Sequence, residues 1–83
     1  RLFVSAAAVD PVIGASEACA EEAEVKRVLA AMASEVVLAI DSSKLDLRAV
    51  AVSLEWGSVN TLVTELDPDH PRVAPYAAMM DVR

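Results

Sequence analysis

Asp41 and Lys44, three positions apart in Asp41-Ser42-Ser43-Lys44, are the residues whose types and spacing could do chemistry. A carboxylate accepts hydrogen bonds from hydroxyls or takes up a proton, and an ammonium meets anions and hydroxyl oxygens. The pair directly follows Val36-Val37-Leu38-Ala39-Ile40, an unbroken apolar run. A run this short and uniform reads as a strand buried on both faces, as a central strand of a parallel sheet does. Its polar loop then emerges at the carboxyl edge of the sheet, where open α/β folds place their ligands. The plainer reading of the same residues is a solvated strand-to-helix turn with Asp41 as its cap, since short polar loops of this kind are common.

The remaining reactive groups offer less. Cys19 is the single cysteine, so no internal disulfide forms and a reducing compartment fits. His70, the single histidine, sits between Asp69 and Pro71 in a surface turn. A Cys19–His70 nucleophilic pair is disfavoured, and the ligand clusters that zinc requires are missing. Thirteen Asp and Glu stand against 7 Lys and Arg, a net charge of −6, and Lys26, Arg27, Lys44, Arg48 and Arg72 are dispersed. Holding a phosphate backbone needs clustered positive charge, so nucleic acid would have to be bound by another segment.

With 83 residues, the chain holds at most one domain, near the size where a core becomes marginal. Hydrophobic residues are 55% and aromatics 4%, so the core must be built from Val, Ala, Leu and Met. No apolar run reaches membrane-spanning length, and no signal-peptide pattern is present. Arg1-Leu2-Phe3-Val4 reads as a strand already under way, which suggests a piece of a longer protein.

In chain order, Leu2 to Ala6 reads as a first strand. Asp10-Pro11 opens a turn, because the residue before proline avoids the helical region. Gly14 marks a second bend, and Ser16 can cap the helix that follows. From Ala20 to Ala33 the period becomes helical. Val25, Val28, Leu29 and Met32 form one apolar stripe, with acids in the first turn where the helix dipole favours them. Glu22 and Lys26, one turn apart, predict a solvated ion pair. Glu35 to Ile40 is the buried strand, Val50 to Leu54 a third extended run and Val59 to Thr64 a fourth. Glu55-Trp56-Gly57-Ser58 is a turn whose Trp covers the core. A short helix lies within Val73 to Met80, and Met80 to Arg83 forms a final edge strand. This order is α/β. With one full-length helix, one chain cannot cover both faces of a mostly parallel sheet, so self-association or a missing half is expected.

Taken together, these landmarks resemble the carboxyl-terminal sensor domain of the DeoR family of bacterial transcriptional repressors. The likeness is carried by Phe3-Val4-Ser5-Ala6 with Val9-Asp10, by Gly14, and by Glu21-Glu22-Ala23-Glu24-Val25-Lys26-Arg27. It continues through Val36-Val37-Leu38-Ala39 into Asp41-Ser42-Ser43-Lys44 and Val59-Asn60-Thr61-Leu62-Val63-Thr64. The resemblance implies that residues 1–83 are the carboxyl-terminal part of a sugar-phosphate sensor. The fold would be a partial, open, mostly parallel sheet with flanking helices, similar to ribose-5-phosphate isomerase and incomplete without an amino-terminal half. A winged helix-turn-helix outside this chain would bind DNA, and the whole protein would be cytoplasmic and oligomeric, needing no cofactor or metal. By the same likeness Asp41 would bond sugar hydroxyls and Lys44 a hydroxyl or the phosphate, with Asp10, Glu22 and Lys26 lining the same pocket. The family's Gly- and Thr-rich phosphate loop would precede Arg1.

The chain departs from the family pattern in places. Ser5 and Ala8 stand where glycines are usual, and Ser16, Glu17 and Cys19 where a Thr pair and an Asn are usual. A carboxylate at Glu17 would repel a nearby phosphate. The related isomerases carry Gly-Ala-Asp-Glu where this chain has Ser5-Ala6-Ala7-Ala8, and no lysine lies between Asp10 and Lys26. Isomerisation needs a base to move the proton and a cation or donor to hold the enediolate. A binding domain is therefore the reading, with an oligomerisation-only module second and a residual isomerase or deaminase third.

Overall fold

The computed structural model describes residues 1–83. Its elements are β1 (Leu2–Val4), β2 (Ala8–Asp10), β3 (Gly14–Glu17), α1 (Ala20–Met32), β4 (Val36–Ala39), β5 (Ala51–Leu54), β6 (Thr61–Val63), α2 (Ala74–Ala77) and β7 (Asp81–Val82). The valine- and leucine-rich segments pair into a four-stranded sheet of order β1-β4-β6-β7, parallel throughout. Register sets Phe3 beside Val37 and Val37 beside Thr61, which puts Val36, Leu38, Ile40, Leu62 and Val82 on the opposite face. Those five belong to the buried core.

A second sheet, antiparallel, has the order β2-β3-β5. The segment from Ala8 to Glu17, expected as two bends and a helix cap, is in fact its hairpin. Ser16 lies in β3, fully buried, and its hydroxyl accepts from the Ala49 N–H at 2.9 Å. Alternation is invisible in Ala8-Val9-Asp10 and Gly14-Ala15-Ser16-Glu17 because both faces of β3 are buried. The extended run at Val50–Leu54 likewise joins this sheet rather than the parallel one. Gly14 makes the close approach possible. Its φ is +97°, and a Cβ there would sit 2.2 Å from the Leu54 carbonyl oxygen.

Helix α1 begins after Cys19, which makes no side-chain capping bond, with Glu21 and Glu22 in the first turn. It packs on β5 through its small face: Ala23 is buried, Ala30 is partly buried against the core, and Arg27 Nη1 donates to the Val52 carbonyl at 2.5 Å. Ala23, Arg27 and Ala30 follow helical spacing, so the apolar stripe Val25, Val28, Leu29 and Met32 falls on the far side. That stripe is between 44% and 80% exposed. Alanines let the helix approach the sheet closely, and the larger residues are left for a surface this chain does not bury. On the outer face of the parallel sheet Phe3 is 66% and Val63 37% exposed, while Val37 and Thr61 between them are buried.

The chain after β6 closes the core. Tyr76 is fully buried and meets Trp56 edge-on, with ring centroids 5.6 Å apart. Trp56 Nε1 donates to the Asp10 carbonyl at 2.9 Å. No helix is long and apolar enough to cross a membrane. Replacing Gly14 by Ala should cost on the order of 2–4 kcal/mol from backbone strain and overpacking. Equilibrium unfolding in urea measures it, and a loss under about 0.5 kcal/mol would contradict the close approach.

Candidate functional site

Three parallel strands end side by side, and their carboxyl ends frame an open cleft of about 550 Å³. Ser5 and Ala6 follow β1, Ala39, Ile40 and Asp41 close β4, and Val63, Thr64 and Glu65 close β6, with Lys44 reaching in from the loop after β4. This is the carboxyl edge where open α/β sheets bind ligands.

The loop is built as a capped turn. Ser42–Lys44 forms one turn of 3-10 helix with Asp41 as its N-cap. Asp41 Oδ1 accepts from the Ser43 N–H at 2.9 Å and from the Ser43 hydroxyl. The Ser43 hydroxyl, then its N–H, hold the Asp41 carboxyl below the usual carboxylate range, and Lys44 adds to the effect. Asp41 Oδ2 makes no hydrogen bond within the chain, nor does the Lys44 ammonium.

Glu65 braces this turn from the neighbouring strand. Its Oε1 accepts from the Ser42 N–H at 2.8 Å and from the Thr64 hydroxyl at 2.9 Å, and its Oε2 accepts from the Ser42 hydroxyl at 2.7 Å. The Ser42 hydroxyl is the largest cause of a carboxyl pushed down to about 2. Arg72 Nη2 donates to the Ser42 carbonyl at 3.2 Å from the other side. At the exit of the loop Asp46 takes a φ of 62°, and the Tyr76 hydroxyl pins it by donating to Asp46 Oδ1 at 2.9 Å and accepting its N–H at 3.2 Å. Burial pushes the Tyr76 hydroxyl's pKa up, with Asp46 adding to it.

The cleft therefore offers one free acceptor oxygen and one free ammonium on a loop held from three directions. Such a pair can receive a sugar hydroxyl and meet an oxygen beside it. As general bases these carboxylates are weak, because a proton-transfer base works best with a pKa near the operating pH. A second hollow of similar size lies between α1 and β5, lined in part by Arg27 and Asn60. Its guanidinium and the Asn60 oxygen are already engaged, Arg27 by Val52 and Glu24 and Asn60 Oδ1 by the Val36 N–H, while the Glu55 carboxylate and the Ser58 hydroxyl at its rim make no hydrogen bond within the chain.

Residues 1–66 match the family model described as the DeoR C terminal sensor domain. The chain belongs to that family. Comparison with curated proteins finds no match. The chain thus has the effector-sensing role of this domain in DeoR-type regulators.

Of the residues expected to share one pocket, this DeoR sensor domain brings Asp41 and Lys44 together. Lys26 stands behind the cleft wall, donating to the Ser5 carbonyl at 2.6 Å. It pairs there with Glu17 at 2.8 Å and not with Glu22, so the solvated Glu22–Lys26 pair is replaced by a long-range one. Glu22 lies on the exposed side of α1, in a separate shallow hollow that it shares with Val4, Val25, Lys26 and Leu29. Asp10 does not line the cleft. Its carboxylate accepts from the Val12 N–H at 2.8 Å, the Ile13 N–H at 3.2 Å and Arg48 Nε at 3.0 Å, and Arg48 is the main cause of its lowered pKa. An Asp at a hairpin turn bonds its own backbone, which turns its side chain toward the hairpin.

Glu65, Thr64 and Ser5 were not foreseen as members of the site. The signal was available for Glu65, a charged residue two positions past the end of β6, the strand that pairs with β4. Because its folded pKa is depressed, the bonds of Glu65 stabilise the loop fully above its ordinary pKa of 4.5 and are lost as pH falls through about 2. Thermal unfolding across that window should show acid destabilisation in the unmodified domain and a flatter profile in Glu65→Gln. Identical profiles would remove the clamp.

Proposed function

We propose that this chain is the effector-binding part of a bacterial repressor and that a phosphorylated sugar occupies the cleft at the carboxyl edge. Asp41 Oδ2 would accept a sugar hydroxyl, and Lys44 would meet a neighbouring hydroxyl or a phosphate oxygen. The observation that carries this reading is the free oxygen and free ammonium facing one cleft on a braced loop. Lys26 would act on the cleft from behind, through its bond to the Ser5 carbonyl. Asp10 and Glu22 are left without ligand contacts in this reading. The phosphate loop and the winged helix-turn-helix are assigned to segments outside this chain, and the whole regulator to the cytoplasm.

The effector would act by preferring one arrangement of the assembled repressor. The resulting shift in DNA binding can be no larger than the difference in its affinity for the two arrangements. A purely assembling module is the second reading. It is favoured by exposed Phe3 on the outer sheet face and by the exposed stripe Val25, Val28, Leu29 and Met32 of α1, since clustered exposed apolar residues mark interaction surfaces.

One experiment separates the two. Sugar phosphates are titrated into the full-length protein on its operator DNA, with oligomer size followed in parallel. At least one sugar phosphate should change DNA affinity. Asp41→Ala and Lys44→Ala should each weaken that response roughly ten- to a hundredfold, the worth of a hydrogen bond to a charged group, with assembly intact. Responses unchanged in both variants would leave only the assembling module.

A further inference from the structure

Glu17 is the one carboxylate enclosed by this fold, 1% exposed in β3. Its Oε2 accepts from the Ser53 hydroxyl at 2.7 Å and its Oε1 from Lys26 Nζ at 2.8 Å. The same Nζ donates to the Ser5 carbonyl at 2.6 Å, and Ser5 is part of the cleft wall. Lys26 is rooted on α1, beside exposed Glu22 and Leu29, yet its side chain is only 20% exposed. It has been drawn inward, across from the helix to the end of β1.

Enclosing an ion pair is costly, and its desolvation often offsets its attraction, so stability alone is a poor reason for this one. Its electrostatic effect on the cleft is clearer. Asp41, Glu65 and Lys44 line that cleft, two carboxylates against one ammonium. Two further cations touch its walls from behind, Arg72 at the Ser42 carbonyl and Lys26 at the Ser5 carbonyl, and of these Lys26 is the one paired with an enclosed carboxylate. Paired with Glu17, it presents a nearly cancelled charge, and two of its three donors are already used.

We propose that Glu17 is a positioning residue that sets ligand selectivity: by holding Lys26 against the Ser5 carbonyl and cancelling its charge, it lowers the preference of the cleft for phosphorylated over unphosphorylated sugars. The proposal rests on the effector cleft described above and adds to it what fixes the charge there. Glu17 itself touches no ligand and acts through Lys26. The margin by which a phosphate ester outcompetes its parent sugar for Asp41 and Lys44 is then narrower than an unpaired Lys26 would make it.

The test uses the full-length protein and matched probes, ribose with ribose 5-phosphate and glucose with glucose 6-phosphate, titrated calorimetrically at low and at moderate salt. Glu17→Gln frees the Lys26 charge. It should tighten binding of the bound phosphate ester by roughly three- to tenfold, steepen its salt dependence, and leave the parent sugar within about twofold. A purely structural role would weaken both members of a pair equally, and that result, or no change in either, would overturn the proposal. The double variant E17Q/K26Q leaves no unpaired charge and serves where E17Q alone does not fold. Its selectivity should equal that of the unmodified protein, whereas a shift toward the parent sugar would show that Lys26 supplies charge to the phosphate and would sink the idea. Asp41→Ala keeps the two levels apart. Sugar binding that depends on Asp41 but has selectivity indifferent to Glu17 overturns the role of Glu17 alone, and no binding of any probe overturns the cleft with it.

Discussion

Parallel pairing of β4 with β1 on one side and β6 on the other is the constraint on which the rest depends. Three strands running the same way must finish at the same edge, so the loops that leave them meet there. The register that brings them level is held by the inward row Val36, Leu38, Ile40 and Leu62. A slip of one residue would turn that row to solvent. The pairing even continues past the strands, with the Ile40 N–H donating to the Val63 carbonyl at 2.9 Å. Asp41 thus leaves the sheet from a fixed point.

What happens at that edge is a division of labour between acids. Glu65 is committed to the backbone and hydroxyl of Ser42, and Asp41 commits one oxygen to Ser43 and keeps the other free. Local bonds that satisfy a carboxylate favour its charged form. The loop therefore presents a stable acceptor whose position owes little to solvent. Asp46, held in a left-handed conformation by buried Tyr76, prevents the loop exit from relaxing. Tyr76 lies beyond residue 66, so the family match ends before an element that the site uses.

The second sheet gives the domain its asymmetry. Hairpin β2-β3 with β5 covers the inner face of the parallel sheet and carries Glu17 to the back of the cleft wall. Phe3 at the edge of the outer face and the stripe of α1 stay exposed. All-parallel sheets are normally buried on both sides, and here the exposed apolar residues lie opposite the surfaces that stabilise the domain. Lys26 spans part of that distance, rooted on α1 and ending at Ser5.

Much of this was legible in the residues. The apolar run from Val36 to Ile40 determined a buried strand, and Asp-Ser-Ser-Lys after it determined a capped turn, because both depend on neighbours in sequence. Helical spacing placed α1 within a residue of its true end. The hairpin was not legible: buried on both faces, Gly14 to Glu17 shows no alternation to read. Nor was the inward face of α1, since bulk marked Val25, Val28 and Leu29 while close packing selected Ala23 and Ala30. Which carboxylate Lys26 would meet was decided only in three dimensions. Glu22 is its neighbour along the helix, but Glu17 is enclosed by β3 and β5 and has few partners within reach. An enclosed charge must be answered by an opposite one, and that requirement arises only once the chain has closed around it.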